Sequence, residues 1–159
     1  MRLPVEARHV APRLATGAFI LNSGLVKRKA DEETAAQLHG MATMTYPFLG
    51  KLSPSAFVRL LSAGEITLGA ALLLPVVPTV VAGAGLTAFS AGLLGLYLRT
   101  PGMRQEGSLR PTQQGTALAK DAWMFGIGLG FVTDEIARGS CGSRRSRGSG
   151  RKRRSCRSR

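Results

Sequence analysis

Cysteine is missing from the first 138 residues of this 159-residue chain; Cys141 and Cys156 both lie in the last 21. That excludes a disulfide, a Cys-X-X-Cys pair and a thiolate metal site from the body of the protein. Histidine is nearly as scarce. His9 and His39 are the only two, they fall on opposite sides of the arrangement inferred below, and no Cys/His cluster offers a metal or haem ligand set. A phosphate loop is absent as well: Gly50-Lys51 lacks the upstream glycine, and Gly126-x-Gly128 meets Phe131 where a third glycine belongs. The segment Ala88-Phe89-Ser90-Ala91-Gly92 lacks the first glycine of a nucleophile elbow. No cofactor is expected to be held covalently or by metal ligation. Any redox chemistry would draw on a diffusible quinone or a partner's cofactor.

Acid is absent from residues 139–159, which carry nine Lys and Arg and little besides Ser, Gly and Cys. The formal charge of +13 is therefore mostly that of a tail, because residues 1–138 hold 13 basic and 9 acidic groups. A tail with so few apolar side chains has nothing to offset ordering entropy and is expected to be disordered. Its charge suits anionic lipid headgroups. No aromatic residue is interleaved for base stacking, so no specific nucleic-acid partner is expected.

What is present is apolar and clustered. A bilayer's hydrocarbon, roughly 30 Å thick, asks for about 20 helical residues per crossing. Residues 79–98 run without a charge and end in Tyr97-Leu98-Arg99, an aromatic and a cation suited to the interface. Residues 56–77 form a second apolar stretch, with Glu65 near its middle, joined to the first across Pro75 and Pro78, which break the helix and force a tight reversal. Two shorter stretches flank this hairpin, 10–26 with Arg13 inside it and 117–133 with Lys120 and Asp121 at its start. No small-x-small cleavage pattern follows the first stretch, so it reads as a retained span. The expected fold is all-α: a four-helix transmembrane bundle over residues 1–138, followed by the disordered basic tail. A short amphipathic helix marked by Ala36, Met41 and Met44 is expected in the 27–55 connection. Small residues at four-residue spacing (Ala63, Thr67, Ala71; Ala84, Ala88, Gly92; Ala122, Gly126, Gly130) suggest close helix packing.

Glu65 carries the most chemical information. It lies nine residues, about 13 Å, from the start of the 56–77 stretch. A carboxylate at that depth must be neutralised, paired or turned toward water. Four spans put the 27–55 and 99–116 connections on one side and the termini with the proline reversal on the other. Lys27, Lys120 and Asp121 then converge on Glu65 from the connection side, with Asn22 and Ser23 about one turn inside the same end. These six residues form the candidate ligand or proton site. The alternative is an ion pair that only fixes helix register.

The segments GAFILNSGLVKR, Thr45-Tyr46-Pro47, SAGEITLGAALLLP and Ala119-Lys120-Asp121, in that order, resemble the DoxX family of small bacterial integral membrane proteins. The resemblance covers residues 8–137 and places Ser23, Gly24, Lys27, Glu65, Gly69, Lys120 and Asp121 on the family pattern. Arg28, where an apolar residue is usual, and Leu74-Pro75, where a glycine often closes the second helix, depart from it. The resemblance implies a four-helix membrane fold and an association with quinone-linked sulfur oxidation and membrane thiol-redox complexes.

Counting cations sets the orientation. The terminal side holds thirteen (Arg2, Arg8, Arg13 and ten from Arg138 onward) and the connection side nine. The positive-inside rule then places both termini in the cytoplasm of a bacterial inner membrane. Without residues 139–159 the count becomes four against nine and reverses. The function expected is that of an accessory subunit, rather than a self-sufficient oxidoreductase, binding a quinone or small polar ligand beside Glu65. Its partners would be membrane lipids and a redox partner protein. The alternative is a small homo-oligomeric transporter in which Glu65 is a proton-coupled site.

Overall fold

The computed structural model describes residues 5–105 and 107–148. Six helices follow in order: α1 (Ala7–Lys27), α2 (Glu32–Thr45), α3 (Pro54–Leu73), α4 (Thr79–Arg99), the single turn α5 (Thr116–Ala119) and α6 (Asp121–Gly148). A 3-10 turn, Pro47–Lys51, links α2 to α3. The described residues contain no strand, only an isolated bridge between Arg104 and Pro111 in the connection after α4. The chain is all-α, as its apolar runs and prolines predict.

Each expected span has a helix, with shifted ends. The second stops at Leu73, four residues before the expected 77, because Leu74 precedes Pro75 and is driven to extended backbone (ψ 118°). The fourth starts at Asp121 rather than 117, since α5 ends at Ala119 and the chain breaks at Lys120. Asp121 thus heads α6, where a carboxylate faces the positive end of the helix dipole. At its other end α6 passes the expected boundary at 138. The helix runs on to Gly148, ten residues into the segment expected to be disordered. Extending a formed helix adds one hydrogen bond per residue fixed, and no proline interrupts this stretch. The remainder of the expected disordered tail, 149–159, lies outside the described residues.

The helices pair as α1 with α3 and α4 with α6. Glycine sets the closeness of both pairs. A Cβ on Gly69 would lie 2.6 Å from the backbone nitrogen of Leu21, and one on Gly83 would lie 2.6 Å from the Cβ of Phe131. The small-residue stripes chosen from sequence lie elsewhere. Ala63, Thr67, Ala84, Ala88, Ala122, Gly126 and Gly130 are exposed, and a Cβ on Gly92, Gly126 or Gly130 would meet nothing within 4 Å. Between the pairs, Ile20, Leu72, Ala82, Leu86, Met124 and Phe131 form the buried core.

Arg13 ties the pairs together. Only 2 % exposed, it donates through Nε to the Leu72 carbonyl (2.8 Å) and through its two terminal nitrogens to the carbonyls of Ala71 (2.8 Å), Leu74 (3.0 Å) and Val77 (3.1 Å) and to Thr79 Oγ1 (3.1 Å). The last turn of a helix leaves carbonyls without partners. Here a guanidinium from α1 satisfies those of α3 and seals the turn into α4.

The 27–55 connection does contain the expected helix, α2, capped by Asp31 through the Thr34 amide (2.9 Å). Its buried face is Ala35, Ala42 and Thr45, whereas Ala36 is exposed and Met44 is 65 % exposed. Tyr46, which follows it, donates its hydroxyl to the Gly92 carbonyl at 3.0 Å.

Two helices, α3 and α4, are long and apolar enough to cross a membrane. In each, only 28 % of the most apolar window is buried inside the chain. A core helix of a soluble domain would be covered on most sides.

Candidate functional site

Lys27 is the last residue of α1 and Glu65 the twelfth of α3. The antiparallel pairing of these helices brings the ammonium of one against the carboxylate of the other. Lys27 Nζ donates to both carboxylate oxygens, Oε1 at 2.9 Å and Oε2 at 3.0 Å, and to Ser23 Oγ one turn back at 2.6 Å. The Glu65 side chain is 4 % exposed and the Lys27 side chain 23 %. Ser62, three residues before Glu65 on the same face, donates to the Gly24 carbonyl at 2.8 Å and fixes the register of the two helices. Gly24 allows the approach, because a Cβ there would lie 2.9 Å from the Ile66 backbone nitrogen.

Asp121 comes from α6 on the far side. It is buried, and the charges of Lys27 and Glu65 both act on it. Two carboxylates and one ammonium leave one formal negative charge in the group. These three residues and Ser23, with Gln114, are the polar members of the lining of a cavity of about 380 Å³ to which all six helices and the connection after α4 contribute. Its walls are apolar and include Phe19, Leu61, Phe89 and Met124. The size falls within the usual range for small-molecule pockets, as does the pattern of apolar walls with a few convergent polar groups.

Of the six residues expected to converge, Ser23, Lys27, Glu65 and Asp121 stand together. Asn22 and Lys120 are exposed and contribute nothing to the cavity wall. Asn22 lies one position, roughly 100° of helix rotation, from Ser23, so α1 turns only one of the two toward α3. Lys120 sits in the break between α5 and α6. Sequence reasoning missed Gln114, which lies in a polar connection with no motif around it, and the aromatic wall, whose residues look like any other apolar side chains of a span.

A second polar group closes the opposite end, where α1 begins. His9, buried, places Nε2 at 2.8 Å from Asp134 Oδ2 on α6 and its ring edge-on to Phe131 at 5.3 Å. Arg8 and Arg138 also contact Asp134 Oδ2, at 2.9 and 2.7 Å, and Arg138 pairs with Glu6. Burial alone would raise the Asp134 carboxyl, but Arg138, Arg8 and His9 outweigh it and hold the group below the ordinary carboxylate value.

No family model, curated protein or solved structure matches the chain.

Proposed function

We propose that the chain is an integral protein of a bacterial inner membrane, crossed by α1, α3, α4 and α6, and that the cavity headed by Lys27, Glu65 and Asp121 binds a small amphiphile of the quinone class. The resemblance to the DoxX family points the same way, to an accessory subunit of a quinone- or thiol-linked redox system. The membrane reading extends from α3 and α4 to the two flanking helices through their outward faces. On α1, Leu14, Leu25 and Val26 are 51, 46 and 64 % exposed; on α6, Trp123 is 74 % exposed. Patches of that kind belong against lipid or a partner. Arg13, inside the expected 10–26 span, is no obstacle, since it is buried with its donors satisfied.

One observation carries the ligand reading: a charged triad in the lining of a mostly apolar cavity. Lys27 Nζ would exchange its hydrogen bond to Ser23 Oγ for one to a quinone carbonyl, and the aromatic side chains of the lining would pack on the ring. A bound quinone supplies two-electron redox chemistry; the chain's part is to bind, orient and exclude water. Both termini lie in the cytoplasm on this reading, and the triad lies toward the outer face.

The test is binding of a short-chain benzoquinone to purified protein in detergent. Glu65→Gln leaves the Lys27 ammonium without its counter-charge but keeps the side chain's shape. Binding is expected to weaken about tenfold, the equivalent of about 1.4 kcal/mol. Quinone affinity equal to that of the wild type would overturn the assignment.

A further inference from the structure

A second hollow, of about 720 Å³, opens outside the bundle where α1 ends, α2 begins and α3 passes both. Lys27 lines it as well as the inner cavity, where Glu65 holds its ammonium. The α3 side of the hollow is one stripe at three- and four-residue spacing: Val58, Arg59, Ser62, Ala63, Ile66 and Thr67. Along that stripe the chemistry changes. The end near the start of α3 carries charge, and the deeper end is apolar or weakly polar over the eight residues from Arg59 to Thr67, about 12 Å.

Besides Lys27, whose charge Glu65 neutralises, four charged side chains line the hollow: Arg28, Asp31, Glu32 and Arg59. All four are exposed, and no ion pair joins any two of them. Asp31 accepts from Thr34 to cap α2, through Oδ1 from the backbone amide, and forms no ion pair with either arginine. Two guanidiniums and two carboxylates held in one hollow without neutralising each other present both signs to a ligand. A simple anion would be repelled by half of this lining and a simple cation by the other half.

We propose that the hollow seats the headgroup of a zwitterionic phospholipid of the phosphatidylethanolamine type. The phosphate lies on Arg28 and Arg59, the primary ammonium on Asp31 and Glu32, and one acyl chain follows Ala63 and Ile66 down α3. Guanidinium matches phosphate oxygens through paired N–H donors. A primary ammonium carries three N–H donors for carboxylates, which a trimethylated headgroup lacks. The proposal rests on the membrane reading above, because it needs α3 to stand in lipid with its first turns at the interface.

The experiment uses the full chain in detergent, mixed with equal amounts of phosphatidylethanolamine, phosphatidylcholine and phosphatidylglycerol of identical acyl chains, with bound lipid read by native mass spectrometry. The ethanolamine lipid is expected to be retained about tenfold over each of the others. Replacing both arginines (Arg28→Gln with Arg59→Gln) should reduce its retention by about the same factor. Asp31→Ser with Glu32→Gln keeps a capping side chain on α2 and should abolish the preference over phosphatidylcholine. These positions are exposed, so loss of fold does not confound the result. Equal retention of the three lipids, a preference for the anionic one, or wild-type retention by the double-arginine variant overturns the proposal. Alkaline carbonate extraction of native membranes separates the two readings. A chain that stays in the pellet yet shows no ethanolamine preference sinks the headgroup site alone, whereas a chain released to the supernatant sinks the membrane reading and the site with it.

Discussion

At the scale of single residues, the ion pair and the arginine differ in how far they could be read. A pairing of Glu65 follows from depth and direction: an acid far inside an apolar helix needs a counter-charge, and Glu65 is reached from the end where Lys27 and Lys120 stand, of which the structure brings up Lys27. Arg13 offered no such clue, because its partners are backbone carbonyls, which every residue has and no sequence singles out. Its consequence is nevertheless large. Truncation would strip four carbonyls and a hydroxyl of a charged donor in a buried place. Hydrogen bonds to charged groups contribute about 1.5–3 kcal/mol each, and they do not add simply. Arg13→Met is expected to destabilise the protein by about 3 kcal/mol or more, measured by thermal unfolding in detergent. Arg13→Lys should recover only part of that, since an ammonium cannot reach both sides of the turn with a planar fork. Equal stability of Arg13→Met and wild type would show that water or detergent satisfies the turn without it.

At the scale of elements, existence and approximate ends were legible, and faces were not. Prolines mark the α3–α4 turn, and long apolar runs mark the helices on either side of it, broken in α3 only by Arg59 and Glu65. Which stripe of a Gly- and Ala-rich helix packs inward is a different matter, because small residues recur at four-residue spacing on more than one face. The same limit applies to Asn22 beside Ser23, and to Ala36 and Met44 beside Ala35 and Ala42. A helix's phase is fixed by its neighbours, which the local sequence does not contain. The contrast gives a direct prediction. Gly83→Val would force a Cβ to within 2.6 Å of Phe131 and 3.1 Å of the Gly128 carbonyl, so α4 and α6 must separate. A loss of about 1–3 kcal/mol is expected, the usual cost of overpacking. Gly92→Ala, drawn from a stripe chosen on sequence alone, meets no atom within 4 Å and should leave the melting temperature unchanged or slightly raised. Matching losses in the two variants would mean that the α4–α6 contact is not the close one.

At the scale of the whole molecule, polar side chains gather at two ends and apolar ones face outward between them. One end holds the triad and the two hollows. The other is a closure in which residues near the start of α1 converge on Asp134 of α6, and it should respond to acid in a defined direction. The carboxyl of Asp134 titrates below its ordinary value in the folded chain, because the cations around it outweigh the upward pull of burial. A group whose folded pKa is depressed stabilises the fold above its unfolded pKa, about 3.9 for Asp, and that contribution is lost as pH falls through the folded value. Wild-type protein is therefore expected to exceed Asp134→Asn in thermal stability at pH 7. The gap should begin to narrow below about pH 4 and approach zero once the wild-type carboxyl is protonated. Other carboxylates titrate in the same range, so the difference between the two curves is the quantity that isolates this one. High salt should shrink the gap as well, because Arg8 and Arg138 keep 56 and 29 % of their side chains exposed and their attraction is screened. A gap that stays constant from pH 7 to pH 3 would mean that Asp134 holds the two ends together through the geometry of its hydrogen bonds rather than its charge.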